Sequence, residues 1–69
     1  MEINKNLIIV NNREIGEYDL YDVSRLVCTL TPSESLQETL LTGASTLLEV
    51  LQNAADQRVI SSFQIVHHP

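Results

Sequence analysis

The chain has 69 residues, with four Lys and Arg against nine Asp and Glu and a formal net charge of −5. That length holds a single domain, residues 1–69, and a chain of about 60 residues buries only about 60% of its unfolded surface, so a staple or a second copy is expected. Cys28 is the sole cysteine, which excludes an internal disulfide; the scattered Lys5, Arg13, Arg25 and Arg58 argue against direct nucleic-acid binding, which needs clustered cations.

From the N-terminus, Met1-Glu2-Ile3-Asn4-Lys5 leads into an apolar run too short for a secretory signal or a membrane span, and a lone cysteine with no targeting segment suggests the cytoplasm. Leu7-Ile8-Ile9-Val10 is a β-branched run closed by Asn11-Asn12, which predicts a strand and a turn. Ile15 to Asp22, with its glycine and two aspartates, predicts a loop with strand at its edges. Val23 to Leu30 fits two periods. Leu20, Val23, Val27 and Leu30 make a helical stripe, while Leu26, Cys28 and Leu30 share one face of a strand; the short length favours a strand.

Thr31 to Asp56 predicts one long amphipathic helix. Thr31 is its expected cap, Pro32 its first residue and Glu34 the reciprocal partner of a capping box. Behind it, Leu36, Leu40, Leu41, Ala44, Leu47, Leu48, Leu51, Ala54 and Ala55 recur at helical spacing. Gly43 interrupts this run, marking either a local bend or the close approach of another backbone. After Gln57 the alternation Val59, Ser61, Phe63, Ile65 predicts a last strand over Val59–Val66. The expected fold is α+β: a small antiparallel sheet carrying the long helix, paired as a symmetric homodimer.

Chemistry has little support. A catalytic histidine needs a fixed orienting partner, and His67-His68 lie at the tail. Those two and Cys28 cannot supply the roughly four spaced ligands of a structural zinc, so no metal, cofactor or enzymatic activity is expected. Cys28 reads as core filling, with no base or helix start to activate it. Two constellations remain. The helix stripe, through Leu40, Ala44, Leu47, Leu48 and Leu51, either packs on the protein's own sheet or forms a dimer interface; its breadth favours self-association, through this helix or through an edge strand. The segment Glu14 to Asp22 holds four of the nine acids, interleaved with tyrosines. It is either a solvated acidic loop or a partner-binding patch of Glu17, Tyr18, Asp19, Tyr21 and Asp22 for a basic protein surface.

The stretch from Arg25 to Leu48, above all Ala44-Ser45-Thr46-Leu47-Leu48, resembles a pattern in short Pseudomonas proteins of unknown function, a likeness that implies no activity. In length and acidic character the chain is also similar to small host-takeover proteins of Pseudomonas phages, in particular to the anti-activators of quorum sensing. That resemblance, which rests on no motif, implies a homodimer that binds the DNA-binding domain of a LuxR-type activator and also a type IV pilus ATPase. Two other classes fit the composition: a DNA mimic acting against CRISPR or restriction systems, and an antitoxin or assembly subunit. A mimic would spread acids along one face, whereas Glu34, Glu38 and Glu49 are sparse.

Overall fold

The computed structural model describes residues 5–68, with the side chain of His68 outside that description. Its elements run β1 (Lys5–Val10), β2 (Arg13–Tyr18), α1 (Val23–Leu30), α2 (Glu34–Leu41), α3 (Leu47–Asp56) and β3 (Phe63–His68). The strands form one antiparallel sheet in the order β2-β1-β3. The expected α+β class with a small antiparallel sheet is therefore present, with three helices in place of one.

The β1–β2 hairpin follows from Asn11-Asn12. Both residues sit in the left-handed region, at φ 53° and 66°, as a two-residue turn matched to strand twist requires. Asn11 also ties the turn to the chain entering β3: its Oδ1 accepts from Ser61 N at 2.8 Å and Ser61 Oγ at 2.7 Å, and its N–H donates to the Ser62 carbonyl. Opposite Ile8 and Ile9 the register shifts, leaving Ile15 as an extra residue beside Gly16 at φ 129°. This bulge bends the end strand, and glycine takes the conformation that side chains resist.

Alternation along β1 buries Asn6, Ile8 and Val10 while Leu7 and Ile9 stay half-buried on the other face. The buried face joins Tyr18, Leu26, Val27, Leu40, Leu47, Val50, Leu51, Ala54 and Ile60 in one core, so the helices cover one side of the sheet. Asn6 is the polar member of this layer. Its Nδ2 donates to the Tyr18 carbonyl and its Oδ1 meets His67 Nδ1 at 3.3 Å, linking all three strands.

Three expectations are corrected. Val23–Leu30 is a helix, not a strand, because its stripe of Val23, Leu26, Val27 and Leu30 faces the core while Ser24, Arg25 and Thr29 face solvent. Cys28 is then turned outward, so it is exposed and fills no core. The third concerns the long helix, which is two helices. Thr42 leaves the helical conformation and Gly43 takes φ 68°, the left-handed stop that follows many helices. Nothing lies within 4 Å of a Cβ built on Gly43, so the bend explains this glycine and a close backbone approach does not.

The cap residues also move. Ser33, not Thr31, caps α2, its Oγ accepting from Leu36 N at 3.3 Å, while Thr31 Oγ1 accepts from Ser33 N. A second start signal, Thr46-Leu47-Leu48-Glu49, opens α3. Glu49 Oε1 accepts from Ser45 N, Ser45 Oγ and Thr46 Oγ1 at 3.0–3.1 Å, a variant of the capping box shifted by one residue. β3 begins at Phe63, later than expected, because Val59 N and Ile60 N both turn back to the Ala54 carbonyl at the end of α3.

Those donors hold the Glu49 carboxyl below its ordinary value, the Ser45 N–H contributing most. A carboxylate with a depressed folded-state pKa adds stability above its unfolded pKa and loses it as pH falls through the folded value. Thermal melts of wild type and Glu49→Gln, taken from neutral pH down to about pH 3, should show wild type the more stable at neutral pH and the gap closing in acid. A gap independent of pH would contradict this role.

Candidate protein-binding surface

β2 delivers the acidic segment, and the side chains within it part company. Tyr18 is the last strand residue and points inward at 1% exposure, its OH donating to Thr29 Oγ1 at 3.1 Å and its ring lying 4.1 Å beneath the Arg25 guanidinium carbon. As a core residue it cannot form a surface contact, which removes it from the expected patch. Glu17 and Asp19 are exposed, and Asp22 is half-buried. Tyr21 is 70% exposed and Leu20 40%, among the few large apolar side chains left in solvent.

The segment that carries them is anchored. Asp22 N–H closes a turn onto the Asp19 carbonyl at 3.1 Å, and Leu47 N–H donates to the Leu20 carbonyl at 3.1 Å. Arg25, one turn into α1, holds the segment from below: its Nε donates to Asp22 Oδ2 at 2.7 Å and its guanidinium also bonds the Glu17 carbonyl. Exposed ion pairs contribute little stability. Here the pair fixes where the strand ends and the helix begins, so a partner meets a loop that needs little ordering.

The bond from Leu47 to Leu20 also sets the first turn of α3 beside this loop. That turn carries Leu48, 45% exposed, and Glu49. Leu20 and Tyr21 are thus exposed on the loop and Leu48 on the helix turn set beside it, with Asp19 and Asp22 in the loop and Glu49 next to Leu48, while Glu17, opposite Leu7, lies on the open face of the sheet. The sequence alone places Tyr21 with Glu17, Asp19 and Asp22 in a partner-binding patch and Leu48 in a dimer interface, and assigns neither Leu20 nor Glu49 to the patch.

That interface does not survive as expected. Leu40, Leu47 and Leu51 have no exposed surface, and Ala44 is half-buried in the gap between α2 and α3. With the long helix broken, α3 packs against α2, where Asn53 Nδ2 donates to the Leu40 and Thr42 carbonyls. The stripe is spent on the protein's own core, and of its expected interface residues only Leu48 faces outward.

Among the described residues no three His, Cys, Asp or Glu side chains gather as metal ligands, and no helix is long and apolar enough to cross a membrane. Comparison with family models, with curated proteins and with solved structures gave no match.

Proposed function

We propose that this chain is a protein-binding inhibitor that engages a basic surface of its target through Leu20, Tyr21 and Leu48. The observation that carries the reading is that Leu20 and Tyr21 are exposed on an anchored loop and Leu48 on the adjoining turn of α3, with Asp19, Asp22 and Glu49 in the same two segments. Tyrosine at the centre of a patch supplies area at small entropic cost, and the surrounding carboxylates steer and orient a cationic partner. A protein surface whose ordinary ligand is DNA has the matching charge. The resemblance to phage anti-activators of quorum sensing narrows that partner to the DNA-binding domain of a LuxR-type activator, and would place the protein in the bacterial cytoplasm.

On this reading the chain and operator DNA exclude each other. In a gel-shift competition with a purified LuxR-type activator, rising amounts of the protein should release free DNA with no slower-moving species. Inhibition should weaken with added salt, though less steeply than DNA binding itself, because apolar burial is only weakly screened. A ternary complex that retains DNA would reject the competition.

A further inference from the structure

The two outer strands of the sheet end it in different ways. β2 is blunted: Arg13, Glu14 and Glu17 charge it, the bulge at Ile15 and Gly16 interrupts its ladder, and Arg25 already occupies the Glu17 carbonyl. Sheet edges are protected from further pairing by such charges, bulges and covering groups. β3 has none of these. Phe63-Gln64-Ile65-Val66-His67-His68 contains no Lys, Arg, Asp, Glu or Pro and pairs with β1 along its whole length without a bulge. Among the described residues its backbone makes no hydrogen bond except to β1. Val66 remains 40% exposed, opposite half-buried Leu7 on the sheet face that the helices leave open.

We propose that β3 is the dimerisation edge of this protein, where β3 of a second copy adds antiparallel and joins the two sheets into one. Charge selects the occupant. An uncharged strand paired with itself sets no like charges opposite each other, whereas contact through β2 or the Asp19–Asp22 turn would set acid against acid on a chain of net charge −5. An antiparallel strand is also self-complementary about a twofold axis, and with the β2 edge blocked the addition stops at two copies instead of growing into a fibre.

Directly opposed residues in an antiparallel pair point to the same face. A twofold axis normal to the sheet therefore pairs odd with odd and even with even positions. With the axis at Ile65, Gln64 meets Val66 of the second copy on the open face, and Phe63 meets His67 on the helix-covered side. The joint lies on the edge opposite β2 and leaves Leu20, Tyr21 and Leu48 free.

Sedimentation equilibrium over a wide concentration range tests this. Wild type should reach about twice the chain mass at high concentration. Gln64→Lys with Val66→Lys, at two exposed positions, sets lysine against lysine across the joint and should return a single-chain mass with unchanged far-ultraviolet circular dichroism. It also makes the chain less negative, so general repulsion cannot account for that loss. Glu14→Lys with Glu17→Lys, on the other edge, should keep the doubled mass. A wild type of single-chain mass throughout, a lysine pair on β3 that still doubles, or loss of the dimer in the β2 variant alone would each overturn the proposal. Amide exchange in wild type is the second readout: alternate β3 amides should gain roughly tenfold protection as concentration rises, and protection independent of concentration would also overturn it.

Discussion

Leu47→Glu is expected to unfold the chain at every protein concentration, rather than to release a folded monomer. Leu47 has no exposed surface and sits at the first turn of α3, where its backbone also holds the Leu20 carbonyl. Truncating a buried leucine to alanine already costs about 2–5 kcal/mol, and a buried unpaired carboxylate adds a desolvation cost to the lost packing. A core of this size rarely supplies more than about 3–5 kcal/mol in total. Circular dichroism should show lost helix and no cooperative melt. Leu48→Glu, one residue on but exposed, should keep both. A folded, cooperatively melting Leu47→Glu variant would mean that this stripe is not the core.

Tyr21→Ala is expected to weaken target binding by about 2 kcal/mol or more while leaving the melting curve nearly unchanged. Tyr21 is 70% exposed, so its ring contributes little to folding. Tyr18→Ala should behave in the opposite way. It removes a 1%-exposed ring from the core, and emptying such a site costs about 3–5 kcal/mol, enough to unfold much of the population. Any loss of binding there would follow the loss of fold. Calorimetric titration paired with thermal melts of the two variants separates these roles. Equal binding by wild type and a well-folded Tyr21→Ala would move the contact away from the loop.

The contrast between those tyrosines shows where the sequence is legible and where it is not. Asn11-Asn12 after a β-branched run admits few conformations besides a hairpin turn, so β1 and its turn can be read directly. Val23–Leu30 is apolar enough to satisfy both a period of two and a period of 3.6. What decides it is the polar set Ser24, Arg25 and Thr29 on the opposite side, which a strand would have scattered over both faces. The apparent long helix arises because Leu40, Ala44 and Leu47 keep helical spacing across a loop. The signals that break it are local: Gly43 stops one helix, and Thr46 with Glu49 starts the next.

The acidic tyrosine segment is visible in the sequence, but the division of labour within it is not. Tyr18 is buried because it stands opposite Asn6 on the covered face of the sheet, a consequence of strand register. The turn of α3 that carries Leu48 is set beside Leu20 and Tyr21 by the hydrogen bond from Leu47 to the Leu20 carbonyl, between residues far apart in the chain. No local pattern encodes that meeting.

Titration of isotope-labelled protein with the DNA-binding domain of a LuxR-type activator tests most directly whether Leu20, Tyr21 and Leu48 make the contact with a basic target. The amide resonances of residues 17–22 and 45–49 should shift or broaden together at stoichiometric target, while those of β3 stay in place. Shifts confined to β3 or α2, or no change at saturating target, would contradict it.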